Sequence, residues 1–186
     1  MTVNSSPEPG WAPPDNTAPR YQLFLDLDGV LVDFDAGITS ILGRPPDGGA
    51  RGKPIPPGVM WSSVARADSF YEHLNWMPDG RQLWEFAQGL NPIILSGLPR
   101  GNWAAPQKRA WCARELGPHV FVELCMSRDK PERAQALTPE GVRPVLVDDR
   151  ESLSEPFERA GGVFVLHRSA AESITRLKDL FIGPTT

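Results

Sequence analysis

Cysteine is scarce in this chain: among 186 residues there are two, Cys112 and Cys125. The segments around them read as a helix and a strand end. Small buried thiols in a reducing compartment are therefore expected, not a disulfide scaffold. Long apolar runs are absent too, since none approaches the ~18 residues that span a bilayer. The N-terminus lacks a basic patch followed by an apolar stretch, so no secretory signal is expected and the cytoplasm is the default location. No cluster of basic residues exists, and the formal net charge is -4. That argues against a nucleic-acid polymer or an anionic membrane as partner, and leaves room for a small phosphorylated ligand needing only a few local cations. There is no internal repeat.

What is present is ordinary for a soluble globular chain, with 40% hydrophobic and 23% charged residues. The length suits one domain with a small inserted lobe. Residues 1–20, "MTVNSSPEPGWAPPDNTAPR", hold Trp11 as their only large apolar group and read as a flexible tail. Short apolar runs bounded by turn residues then predict strands at Tyr21 to Leu25, Pro92 to Leu95, Val120 to Leu124, Pro144 to Val147 and Gly162 to Leu166. Helical stripes alternate with them: Phe34 to Leu42 closed by Gly43, a stripe through Leu83 and Leu90, "PQKRAWCAREL", and two helices opened by capping boxes at Asp129/Glu132 and Ser169/Glu172. Alternating strands and helices imply an α/β fold, a Rossmann-like three-layer sandwich around a parallel sheet. Residues 21–43 and 78–186 form the expected core domain. Residues 44–77 interrupt the alternation with a Pro/Gly loop and an aromatic segment, the mark of a small inserted cap or lid.

Ligands of open parallel sheets bind at the carboxyl ends of the strands. After the first strand comes Asp26-Leu27-Asp28-Gly29, after the second Ser96-Gly97, after the third "CMSRDK" ending in Lys130, and after the fourth Asp148-Asp149. Taken singly, each of these is a turn, a solvated charge or a helix cap. An EF-hand loop is excluded because Gly29 comes too early and no glutamate stands at the twelfth position. Together they bring carboxylates, a hydroxyl and an ammonium to one rim. Crowded carboxylates become tolerable around a hard dication, and oxygen-only ligands select Mg²⁺. Asp26 would attack phosphorus, Asp28 would serve as acid and base, and Ser96, Gly97 and Lys130 would hold the phosphoryl oxygens. Asp148 and Asp149 would complete a metal shell with Asp26 and Asp28.

"DLDGV", "LSG", the lysine of "SRDK" and "LVDD" resemble the four motifs of the haloacid dehalogenase (HAD) superfamily of phosphohydrolases. The resemblance implies a HAD-like core and makes residues 44–77 the cap. More narrowly, "DLDGVLVDF", "KRAWCARELGPHVFVELCMSRDK", "LVDDRESL" and "PFERAGGVFVLH" resemble the 5'(3')-deoxyribonucleotidases. On that resemblance Asp26 is nucleophile and Asp28 acid/base. Ser96, Lys108 and Lys130 face phosphate, and Phe34 lines the nucleotide pocket with Trp61 of the cap. The implied partner is a nucleoside monophosphate, with a homodimer left open. Two departures weigh against nucleotide specificity: the cap is shorter, and "LSG" places Leu95 where a second hydroxyl is typical. Other small phosphomonoesters, a phosphotransferase and a receiver-like signalling module stand as alternatives. Asp33 and Asp35 are expected in the first turn of the following helix, near its positive pole. His73, His119 and His167 are read as surface or structural groups.

Overall fold

The computed structural model describes residues 20–183. The tail read over residues 1–20 lies outside them except for Arg20, whose backbone opens the first strand. Five strands, β1 (Arg20–Leu25), β2 (Ile93–Gly97), β3 (Val122–Cys125), β4 (Val142–Asp148) and β5 (Val163–Leu166), form one sheet in the order β3-β2-β1-β4-β5. Every neighbouring pair is parallel. Seven α-helices accompany them: α1 (Phe34–Leu42), α2 (Pro57–Arg66), α3 (Gly80–Ala87), α4 (Ala104–Glu115), α5 (Lys130–Leu137), α6 (Ser154–Arg159) and α7 (Ala170–Phe181). This is the α/β three-layer arrangement expected from the alternation. Among the described residues no helix is long and apolar enough to cross a membrane.

Side-chain alternation along the strands sorts the core into two layers. Leu23, Leu25, Ile94, Val145 and Val147 join the larger cluster, with Trp111 of α4 and Leu177 of α7. Phe24, Leu95 and Leu146 point the other way, to Ala134 of α5 and Phe157 of α6. The same alternation continues past the apolar residues. Asp26 and Asp148 share the parity of Phe24 and Leu146 and so face the α5 layer. Ser96 shares the parity of Ile94 and faces α4.

The chain leaves β1 toward β2 and β3 and returns to the opposite side for β4 and β5, so the sheet switches direction between β1 and β4. Such a switch point opens a crevice at the strand ends. The register pairs Leu25 with Val147, which sets Asp26 beside Asp148.

The insert is more helical than expected, with α2 inside it. Its second half is clipped to α4: Trp111 Nε1 donates to the Leu74 carbonyl (2.9 Å), the Tyr71 amide to Gln107 Oε1 (2.9 Å), and Trp76 Nε1 to Glu115 Oε2 (2.8 Å). Ile55, Val64, Phe70, Tyr71 and Leu74 belong to the main hydrophobic cluster.

Of the two expected capping boxes, one forms its N-cap bond: the Glu172 amide donates to Ser169 Oγ at the start of α7. Asp129 accepts no such bond. A preceding 3₁₀ turn holds it in helical backbone geometry, not the extended form an N-cap needs, and its side chain pairs with Arg128 instead.

Candidate active site

Four buried charged groups lie under the strand ends, an unusual concentration in a core: Asp26, Asp148, Lys108 and Lys130 are each at most 4% exposed. Each charge has a partner of opposite sign. Lys130, the first residue of α5, donates to Asp148 Oδ2 (2.6 Å) and stands 3.0 Å from Asp26 Oδ2. Lys108, on the buried stripe of α4 between Ala104 and Trp111, donates to Asp28 Oδ2 (2.7 Å) and Ser96 Oγ (2.9 Å). The two lysines thus hold the two aspartates of the first motif from opposite layers of the sandwich.

These pairings set the protonation states. Burial alone would raise the Asp26 carboxyl, but Lys130 and Lys108 outweigh it and hold it below the ordinary value. Asp28 goes the other way: burial, reinforced by the charge of Asp26, prevails over Lys108 and lifts it. Two carboxyls two residues apart are therefore driven toward different states, the pattern that separates a charged group from a proton donor.

Asp26, Asp148 and Asp149 offer carboxylate oxygens within 4.8 Å of one another. Burial and the Asp26 charge push Asp148 up to about 6, and burial with Asp26 and Asp148 pushes Asp149 up to about 7. Asp26 Oδ1 is buried with no hydrogen-bond partner. An all-oxygen cluster with mutual repulsion and an orphaned acceptor fits a hard divalent cation. Both oxygens of Asp148 are already engaged, Oδ2 by Lys130 and Oδ1 by the Arg150 amide (2.9 Å), whereas no other described residue donates to Asp149. Gly29 makes room for this group: its φ is +75°, and a Cβ there would lie 2.3 Å from Asp149 Oδ2.

Above this floor opens a cavity of about 970 Å³. Asp26, Asp28, Gly97 and Asp149 reach it from the strand ends, and Phe34 and Trp61 from α1 and the insert. Four of the expected site residues do not line it. Ser96, Asp148, Lys108 and Lys130 are sealed beneath, the first two completely. Ser96 accepts from Lys108, so its hydroxyl supports that lysine. Asp28, expected among the metal ligands, stands apart from the three-carboxylate cluster because its Oδ2 is tied to Lys108. Asp33 caps α1 by accepting from the Ala36 amide (2.9 Å), and Asp35 lies in that helix's first turn; both also line the cavity. His73 and His119 are exposed, and His167 is buried against Ser173 Oγ (2.9 Å).

Sequence reasoning passed over several cavity residues. Arg100, Arg128 and Arg150 give one wall positive charge, with Arg150 Nη1 donating to Ser127 Oγ (2.9 Å). All three arginines follow a strand end within a few residues, so the rule that found the aspartates points to them as well. Tyr71 and Trp103 stack across the cavity side of the insert, ring centroids 5.8 Å apart. Nothing in their local sequence marks them.

No protein-family model matches the chain, and no curated protein does. Among solved structures, a HAD family hydrolase from Deinococcus radiodurans R1, with bound phosphate and sodium, is similar with a TM-score of 0.52 at 16% identity. That match covers 88% of this chain and 97% of the other. A HAD family enzyme from Bacteroides thetaiotaomicron, in complex with magnesium, gives 0.46 at 14% identity, covering 82% of this chain and 94% of that one. The likeness to the first is one of fold, and this chain has a HAD-like α/β fold.

Proposed function

We propose that the chain is a Mg²⁺-dependent phosphomonoesterase that works through an aspartyl-phosphate on Asp26, with nucleoside monophosphates, deoxyribonucleotides foremost, as its substrates. The observation that carries this reading is the state of Asp26 itself. Its Oδ2 is held by Lys130, while Oδ1 is buried, without a partner, in a residue that lines the cavity. A carboxylate kept ionised and one-sidedly bound is a nucleophile in waiting.

The expected sequence uses this chain's own groups. Asp26 attacks phosphorus and the ester bond breaks. The departing oxygen takes a proton from Asp28, whose carboxyl is lifted by burial and the Asp26 charge. Asp28 then accepts a proton from water as the water oxygen bonds to phosphorus. The Asp26–phosphorus bond breaks, and inorganic phosphate leaves. Lys108 and Lys130 set two positive charges beneath the transferred group, and the Gly97 amide lies at the rim. Asp26, Asp148 and Asp149 would hold the cation, which supplies charge neutralisation for the phosphoryl oxygens.

The substrate's organic half meets Phe34, Trp61, Tyr71 and Trp103. An aromatic wall favours a flat ring over a sugar, and this supports nucleotides above sugar phosphates. The test is phosphate release with Mg²⁺ from deoxyribonucleotides, ribonucleotides, sugar phosphates and an aryl phosphate, with Asp26→Asn as the blank. Release fastest from nucleotides, slower from the aryl phosphate, and abolished in the blank is the expected result. Turnover by Asp26→Asn would overturn the nucleophile assignment. Activity on sugars alone would overturn the substrate.

A further inference from the structure

Tyr71 presents a buried hydroxyl that its surroundings do not explain. The residue is 2% exposed, yet Oη has no hydrogen-bond partner among the described residues. Buried tyrosines nearly always satisfy that group. The ring is held on every side: it packs edge-on against Phe70 (5.2 Å between centroids), stacks with Trp103 (5.8 Å) and Phe34 (6.2 Å), and lies under Lys108 Nζ, 4.5 Å from the centroid. Its backbone amide is pinned to Gln107 of α4.

Lys108 links Tyr71 to a second orphan. Asp28 Oδ1 is buried without a partner, while Oδ2 is fixed by Lys108. Lys108 therefore touches both residues, one through a salt bridge and one through the ring face. Tyr71 and Asp28 line the same cavity. Burial, with the Asp26 carboxylate nearby, raises the phenol far above its usual range, so it keeps its proton and acts as a donor.

Resting on the phosphomonoesterase reading above, we infer that Tyr71 is a further catalytic residue: its hydroxyl and Asp28 Oδ1 together bind the ester oxygen of the substrate. The oxygen between phosphorus and the organic group has two lone pairs. As the phosphorus–oxygen bond breaks and Asp26 bonds to phosphorus, Asp28 transfers its proton to one lone pair. Tyr71 donates a hydrogen bond to the other and retains its own proton. The alcohol leaves neutral, Asp28 is left as carboxylate, and charge is balanced. The insert thereby contributes to the chemistry as well as to enclosure.

The experiment compares Tyr71→Phe with the unsubstituted protein on 4-nitrophenyl, phenyl and alkyl phosphates, reading kcat/KM, which reports through departure of the leaving group. The phenylalanine keeps the ring and its contact with Lys108. The loss is expected to grow as the leaving group becomes more basic, from within about 3-fold for the nitrophenyl ester to about 10–100-fold for the alkyl ester. A structural role for the ring would give the same loss for every ester, and that outcome, or no loss, overturns the inference. If Tyr71→Phe fails to fold, 3-fluorotyrosine serves instead, since Tyr21 is the only other tyrosine. Its more acidic phenol should raise the alkyl rate more than the nitrophenyl rate, and equal effects overturn the inference. No hydrolysis of 4-nitrophenyl phosphate by the unsubstituted protein overturns the phosphomonoesterase reading, and the inference falls with it.

Discussion

Lys108 Nζ and Asp28 Oδ2 meet at 2.7 Å across eighty residues of sequence, joining the buried stripe of α4 to the loop after β1. The lysine is 1% exposed and the aspartate side chain 28%, so the pair spans the boundary between core and cavity. Its geometry turns Asp28 so that one oxygen stays uncommitted.

Lys108→Met should consequently lower kcat/KM by about 10²–10³-fold, the usual cost of losing one preorganised electrostatic group. Lys108→Arg should not restore it. A planar guanidinium cannot fit a slot shaped by Ser96 Oγ, Asp28 and the Tyr71 ring. Steady-state phosphate release from both variants decides this, and wild-type activity in Lys108→Arg would show that only the charge matters.

Lys130 lies deeper and answers to two carboxylates. Lys130→Met removes the one cation that contacts both Asp26 and Asp148, a change that costs about 3–5 kcal/mol. Denaturant melts of the cation-free protein should show that loss. Adding Asp148→Asn to Lys130→Met should recover part of it, because the two sites share one network. Additive losses in the double variant would show that the three groups act independently.

Much of this was legible in the sequence, and the reason is geometric. Short apolar runs ending in Asp26, Ser96 and Asp148 place polar groups where a parallel sheet presents ligands, and each strand lies within three residues of its expected bounds. Alternation along the strands even assigns Asp26 and Asp148 to the layer of Lys130. Helices α2 and α6 escaped notice because neither shows a full apolar stripe: each has one buried residue, Val64 and Phe157. Lys108 drew attention only through family resemblance, though a lysine inside the stripe of Ala104, Trp111 and Cys112 is itself a signal. Tyr71 had none, since its role depends on packing between segments remote in sequence.

Asp149 supplies a test of the cation site that needs no turnover. Desolvation, with Asp26 and Asp148 beside it, pushes its carboxyl up to about 7 in the folded protein, from an ordinary value of 3.8. Between about pH 4 and pH 7 the native state therefore holds more of this proton than the unfolded chain, and the group's contribution makes stability fall as pH rises. Without cation, Asp149→Asn should melt higher than the unsubstituted protein at pH 8, and by a smaller margin at pH 5. Mg²⁺ should raise the melting temperature of the unsubstituted protein at pH 8, much less at pH 5, and hardly at all in Asp149→Asn. A Mg²⁺ shift that persists in the variant would remove Asp149 from the site.

Phe34 and Trp61 test the organic half of the substrate. Phe34 opens α1 and packs against Trp61 (5.8 Å between centroids) and Phe70 (5.6 Å), so its ring is fixed before any ligand arrives. Trp61 is 38% exposed and contributes a looser wall. Stacking of a base on an aromatic ring is worth about 1–3 kcal/mol. Phe34→Ala should thus raise KM for a deoxynucleotide by about 5–150-fold with kcat little changed, the sign of binding lost equally from ground and transition states. Trp61→Ala should do the same more weakly. Either change should alter KM for a sugar phosphate far less, since a sugar has no π face to stack. If both variants raise KM for sugar phosphates as much as for nucleotides, the rings shape the cavity without reading the base, and the nucleotide assignment loses its main structural support.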